Sequence, residues 1–250
     1  MSFPDHFSAL ASGYARHRPG YPPELFDWLA AAAPGRQRAW DAATGSGQAA
    51  AGLTERFVSV VATDASLAQV AAARRAAGLL YTIAMSEASP LLDQSFDLVA
   101  IGQALHWFDL GRFWPEVRRV LRPRGVVAAW TYDRVEVSPD VDRVLEWFNG
   151  ELIAPYWPPE RRHVETGYRD LSFPFARLHP PALAMEVEWS REELVGYLAT
   201  WSSVGRYREA LAEDPIGRLR APLAAAWGSA ARRRLRWPLT VLAGRSASDA

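Results

Sequence analysis

The sequence predicts an α/β fold: a doubly wound, mostly parallel sheet of seven strands with a helical lid or insertion. Three observations predict it. Over the first 130 residues, short apolar runs alternate with stretches of helical period. Those runs are continuously apolar, as expected of parallel strands covered on both faces. A glycine-containing turn, Thr44-Gly45-Ser46-Gly47, lies between the first run and the helix after it, where backbone must bend sharply and approach a ligand closely.

The elements follow in order. Pro22-Pro23 opens a helix through Leu25, Phe26, Trp28 and Leu29, and Pro34-Gly35 stops it, because proline suits a first turn and glycine follows a last one. Ala39 to Ala43 reads as a buried strand, with a helix through Ala49, Leu53 and Phe57 beyond the turn. Val58 to Asp64 is rich in β-branched residues and too short for a typical helix, so it is a second strand, ending on a carboxylate. Ser66 with Gln69 starts a helix that the spacing carries to Ala77-Gly78, and Tyr81 to Ala84 is a third strand. Ser95 to Ile101 is a fourth. Phe113, Val117, Val120 and Leu121 share one helix face, with Pro115 marking that helix's start. Pro123-Arg124-Gly125 then turns into the strand Val126 to Trp130.

The second half has a different texture. Ser138-Pro139 begins a helix carrying Val141, Val144, Leu145 and Phe148 on one face, whereas Pro155 to Pro181 is proline-rich and aromatic without a sustained period. Ala182 to Trp189 and Leu235 to Ala243 read as two strands that close the sheet. Between them Ser190-x-x-Glu193 caps a helix with Leu194, Tyr197, Leu198 and Trp201 as its apolar stripe. The chain therefore reads as a single domain, 1–250: a core over 1–130, an insertion over 131–181 lying on the sheet's ligand edge, and a closing segment over 182–250.

Composition removes several functions. With 250 residues, 49% of them hydrophobic, the chain can bury a full core. Lys+Arg and Asp+Glu both number 28, so no net field draws in nucleic acid or an anionic membrane, and neither partner is expected. Every basic residue is Arg, which excludes a Schiff-base or phosphate-cradling lysine. With no cysteine and with His6, His17, His106, His163 and His179 scattered, no metal site is expected. Met1 to Leu10 lacks a signal pattern and no apolar run approaches the roughly 20 residues needed to span a bilayer, so the expected location is the cytoplasm.

The chemistry concentrates after the first strand. Ligands of open α/β sheets bind beyond the carboxyl ends of the strands, near the point where strand order reverses. Asp64 closes the second strand, where a carboxylate accepts hydrogen bonds from a ribose diol. The run Gly45-Ser46-Gly47-Gln48-Ala49-Ala50 breaks the Gly-x-Gly-x-x-Gly register of dinucleotide sites, so a ribose is implied without a pyrophosphate.

Taken together, Asp41-x-x-x-Gly45-x-Gly47, Asp64, Phe96-Asp97-Leu98-Val99 and Arg118-Arg119-Val120-Leu121-Arg122-Pro123-x-Gly125 resemble a class I S-adenosylmethionine-dependent methyltransferase of the type 11 domain. Gln103 to Asp109, with Tyr14-x-x-x-Arg18-Pro19-x-Tyr21-Pro22 before it, is similar to the small-molecule branch that includes trans-aconitate methyltransferase-like proteins. The resemblance extends through Trp201-Ser202 and Arg236-Trp237-Pro238-Leu239. It implies a Rossmann-like fold, S-adenosylmethionine as cofactor and a small-molecule acceptor. It also implies that Asp41, Ala43, Thr44, Gly45 and Gly47 form the cofactor turn, with Ala43 standing where the family has its first glycine. Asp64 would hold the ribose, Ala65 would lie against adenine, Ser86 and Glu87 would border its amine, and Gln103 and Leu105 would flank the methionine side. Tyr14 and Arg18 match residues that close over the site.

Methyl transfer from a sulfonium is an in-line displacement, so positioning and water exclusion can supply most of the catalysis. A carboxylate acceptor needs no base and could be oriented by Arg18; a phenol, hydroxyl or amine would make His106 the natural base. Each residue has a plainer reading: His106 as a satisfied histidine under a lid, Arg18 as a solvated arginine, Asp41 as an organiser of the turn amides. Tyr156 and Trp157 are candidates for a flat acceptor pocket. The competing functions are a catalytically silent cofactor-binding protein and a nucleotide-dependent oxidoreductase on the same fold.

Overall fold

The computed structural model describes residues 19–247. Helix α1 (Pro23–Ala32), strand β1 (Arg38–Ala42), α2 (Gln48–Thr54), β2 (Ser59–Asp64), α3 (Leu67–Ala72), β3 (Leu79–Ile83) and β4 (Phe96–Gly102) lead to α4 (Leu110–Val120) and β5 (Leu121–Thr131). Seven strands form one row, the five named so far running β3-β2-β1-β4-β5. Every pair among these five is parallel. The order reverses between β1 and β4, and this is where a doubly wound sheet opens a crevice.

Alternate residues of the buried strands feed two cores on opposite faces. Leu98, Ala100, Val126 and Ala128 pack with α1 and α2. Val99, Ile101, Val127 and Ala129 pack with Phe113, Trp114, Val117 and Val120 of α4. This is the period-2 geometry of a strand covered on both faces.

Beyond β5 come α5 (Pro139–Trp147), α6 (Arg161–Glu165), β6 (Ala176–Leu178), β7 (Leu183–Trp189), α7 (Arg191–Leu198), α8 (Ser202–Leu211), α9 (Pro215–Trp227) and β8 (Arg233–Arg245). The far half of β8 lies antiparallel to β5 and pairs on its other side with β6, which completes the row as β5-β8-β6. The near half of β8 pairs with β7, and Arg236 bridges to Glu136 on the other side. A third core, including Val141, Leu145, Phe148, Leu194, Tyr197, Leu219, Trp227 and Trp237, joins α5 and α7–α9 to this β7–β8 arm. It forms a cap beside the sheet.

Four sequence expectations shift. Helix α4 begins at Leu110, where the Asp109 side chain accepts from Gly111 N at 3.0 Å, and Pro115 lies inside it. A cap outranks a proline as a start signal here. Helix α3 keeps its Ser66 cap but stops at Ala72, well short of Gly78. Arg74 N instead donates to Ser46 O and Tyr81 Oη to Arg74 O, so contacts with the glycine turn replace continuation of the helix. The strand read at Ala182 to Trp189 exists but stands off the main row; the edge place is taken by β6, three residues long and inside the stretch read as insertion. Residues 122–125 are skipped in the β4–β5 register, with Arg124 at φ +63°, so the expected turn is a bulge within one long strand.

Asp97 fastens the start of this sheet. Its buried carboxylate accepts from Gln37 N (2.8 Å), Arg38 N (2.9 Å) and Arg122 Nη1 (2.8 Å). Asp97→Ala would strand two backbone donors and one guanidinium, and is expected to lower stability by about 2–4 kcal/mol in urea titration. An unchanged midpoint would show that this bridge is dispensable.

Candidate active site: a cleft and an adjoining chamber

The turn after β1 is held in an uncommon shape. Ala43 (φ +53°), Gly45 (φ +53°) and Gly47 (φ +76°) are all left-handed. Ala43 occupies the position where the family this chain resembles has glycine and keeps the glycine-like conformation, at a steric cost of roughly 1–2 kcal/mol. Thr44 N donates to Thr63 O at 2.9 Å, which fixes the turn to β2. A Cβ on Gly45 would meet nothing within 4 Å, because that face of the turn is the cleft itself. Gly47 is required for another reason: a Cβ there would stand 2.1 Å from Tyr81 Oη.

Two carboxylates organise this turn. Asp64 Oδ2 accepts from Gly45 N at 2.8 Å and Oδ1 from Ser66 N at 2.9 Å. One side chain thereby joins the glycine turn to the start of α3 while lining the cleft. Asp41 is buried and accepts from Thr44 Oγ1 at 2.5 Å. Burial raises its pKa to about 7, against the hydrogen bonds from Thr44 and the Ala50 backbone, and the nearby charge of Asp64 adds to the rise.

The cleft opens at the carboxyl ends of β1, β2, β3 and β4. It is lined by Asp41, Ala43, Thr44, Gly45, Asp64, Ala65, Ser86, Glu87 and Gln103 from among the residues predicted, and by Tyr21, Ser46, Gln48, Gln69, Met85, Trp107, Phe108 and Tyr132, which were not. Gln103 adopts φ +55°. Its Oε1 accepts from Thr131 Oγ1 and from Tyr132 N (3.2 Å), and its Nε2 donates to Tyr132 O (2.9 Å). The tips of β4 and β5 are thereby clipped together.

A second chamber adjoins the first. Gln103, Trp107 and Tyr132 line both. The remaining wall comes from His106, Asp133, Trp157, Pro158, Arg161 and Val164, and from Tyr197, Thr200, Trp201 and Ser202 of the cap. Arg161, 13% exposed, is ion-paired with Asp133, 22% exposed, and its guanidinium lies 4.3 Å from the Trp157 ring centroid. His106 Nδ1 is 3.1 Å from Tyr168 Oη. Burial, then the charges of Arg161 and His163, push the pKa of His106 down to about 3, and burial raises that of the Tyr168 phenol.

Not every expected residue meets this site. Leu105 points into the core beneath the sheet and lines neither cavity. Gly47 faces Tyr81 and not the cleft. Tyr156 packs on Tyr207, ring centroids 5.0 Å apart, outside both cavities. Trp157 and His106 face the second chamber. Tyr14 and Arg18 lie outside the described residues. The cation that does line the chamber, Arg161, had no sequence signal, since it sits in a proline-rich stretch without period.

Comparison with known proteins bears on the family and the fold. A methyltransferase domain model matches residues 40–129, which run from β1 to the end of β5. A structure from Anaeromyxobacter dehalogenans, assigned as a type II methyltransferase, is 45% identical with a TM-score of 0.88, covering 93% of this chain and 99% of its own. A methyltransferase assignment from Dictyostelium discoideum is 28% identical over 229 residues, 90% of this chain and 87% of that one. An uncharacterized methyltransferase of Mycobacterium tuberculosis is 43% identical over 163 residues, 63% of each. The chain belongs to the methyltransferase family. It is an enzyme whose methyl donor is S-adenosylmethionine, and the oxidoreductase alternative is set aside.

The residues present fit that donor. An open face at Gly45, a carboxylate beside it on Asp64 and a cleft at the point of strand reversal offer room and hydrogen-bond acceptors for an adenosyl group. Asp64→Ala is expected to weaken binding of S-adenosylhomocysteine by about 1.5–3 kcal/mol, the range for a hydrogen bond to a charged group, in a calorimetric titration. An unchanged affinity would move the ribose elsewhere.

Proposed function

We propose that the enzyme transfers the methyl group to a small molecule held in the second chamber. The observation that carries this reading is the shared wall: Gln103, Trp107 and Tyr132 border both cavities, so a donor in one and an acceptor in the other would meet there. When bound, S-adenosylmethionine supplies a methyl group on a sulfonium, ready for in-line displacement. The chain's own residues do the rest by position. Asp64 would receive the ribose hydroxyls, Ala65, Ser86 and Glu87 would border adenine, and the turn from Ala43 to Gly45 would lie under the methionine part. Gln103, held by Thr131 and Tyr132, would keep the junction of the two cavities in shape. The aromatic side chains lining both cavities give the reacting groups an apolar setting, which favours an in-line displacement.

The chamber lies between the sheet tips on one side and the cap on the other, a concave setting that supports a small acceptor. The similarity of Gln103 to Asp109 to the small-molecule branch of the family supports the same reading. No helix among the described residues is long and apolar enough to cross a membrane, and the balanced charge gives nucleic acid no purchase.

His106 is a hydrogen-bonding and packing residue in this scheme. A group whose pKa lies near 3 is a poor base for a phenol or an ammonium at neutral pH. The sign is definite: with its pKa lowered from 6.5, the ring is neutral throughout pH 5–8. The unfolded chain binds a proton that the folded one refuses, so this group's contribution to stability declines as pH falls from 6.5 toward 3. NMR titration of the His106 ring should therefore show no change between pH 5 and 8; a midpoint near 6.5 would restore it as a base.

The activity itself is tested by incubating the full chain with S-adenosylmethionine and a panel of carboxylic acids, phenols and amines. The expected result is S-adenosylhomocysteine together with a methylated product for one acceptor class. Tight binding of NAD with no response to S-adenosylhomocysteine would end the proposal.

A further inference from the structure

We infer that the acceptor is a planar aromatic ring carrying one anionic oxygen, a carboxylate or a phenolate, and that methylation falls on that oxygen. This rests on reading the second chamber as the acceptor site.

Shape comes first. Five aromatic residues, Trp107, Trp157, Trp201, Tyr132 and Tyr197, line the chamber. Flat π walls reward a flat guest, because stacked or edge-on ring pairs add about 0.5–1.5 kcal/mol beyond the area they bury. A puckered or branched guest gains less from the same walls.

Charge comes second. Among the described residues lining the chamber, Arg161 is the one full cation. It is held rigidly, stacked on Trp157 and ion-paired with Asp133. A guanidinium carries five donors in a fixed fork, so it can keep Asp133 and still serve a second anionic oxygen. The same positive field acts on His106, whose protonation is opposed by burial, by Arg161 and by His163. Burial there opposes a charge of either sign, whereas the charges of Arg161 and His163 oppose an ammonium guest and favour an anion.

Proton balance comes third. His106 is too weak a base to strip an acceptor, so an acceptor that arrives already ionised needs nothing from it. An anionic oxygen is such an acceptor. Its lone pair forms the O–CH3 bond as the S–CH3 bond breaks, sulfur keeps the bonding pair, and the negative and positive charges vanish together. No proton moves and no further reactant is needed.

The test is competitive binding to the full chain loaded with S-adenosylhomocysteine, using benzoate, 4-nitrophenolate, benzylamine, benzamide and cyclohexanecarboxylate, followed by turnover with S-adenosylmethionine. One of the two aromatic anions should bind at least about tenfold tighter than the other three probes and yield its methyl ester or ether; which one responds separates carboxylate from phenolate. Arg161→Gln should lower kcat/KM for that anion by about tenfold or more, the order expected for a charge-assisted hydrogen bond, and leave S-adenosylhomocysteine affinity unchanged. If that variant unfolds, the ranking on the natural chain decides alone. Equal or better binding of benzylamine, benzamide or cyclohexanecarboxylate overturns the inference, as does loaded protein that binds neither anion. Failure to bind S-adenosylhomocysteine at all would strike the donor reading beneath it instead.

Discussion

The carboxylate of Asp64 bonds the backbone of Gly45 on one side and of Ser66 on the other, and the site depends on that bridge. Three left-handed residues within five, Ala43, Gly45 and Gly47, would not hold one shape unaided, since nothing in the local chain selects among neighbouring turns. Asp64 fixes the turn from across the strand gap. Asp41 and Thr44 fix it from below, and Tyr81 closes over Gly47. The result is a backbone surface prepared before any ligand arrives, at the point of strand reversal that the parallel order dictates.

A single junction then organises the molecule's chemistry. Gln103 clips the ends of β4 and β5 together, and Trp107 and Tyr132 complete the wall between the cleft and the chamber. The residues lining the cleft lie between Tyr21 and Tyr132, whereas Tyr197, Thr200, Trp201 and Ser202 of the chamber come from the cap, which has a core of its own. A cap with an independent core can vary its inner lining while the cleft stays intact. The methyltransferase domain model matches 40–129, which holds all of the cleft's lining but Tyr21 and Tyr132.

Much of this was legible in the residues. The strands, the glycine turn and the acid at the end of β2 follow from continuous apolar runs, left-handed positions and spacing, all of which are local signals. The departures share a physical cause: side-chain direction and long-range contact are not written in periodicity. Leu105 and His106 are neighbours in one short turn, yet one faces the core and the other the chamber. Helix α3 stops early where Arg74 N bonds across to Ser46 O of the glycine turn and Tyr81 Oη holds Arg74 O, and nothing at residues 73–77 announces it. The strand β6 is too short to show a pattern. Arg161 becomes a chamber residue only through Asp133 and Trp157, one of them 28 positions away.

The most direct measurement is a crystal structure of the chain soaked with S-adenosylhomocysteine. The account predicts the ribose hydroxyls on Asp64 and the sulfur at the wall formed by Gln103, Trp107 and Tyr132, facing the aromatic chamber. A sulfur pointing toward solvent, with that wall closed between it and the chamber, would contradict it.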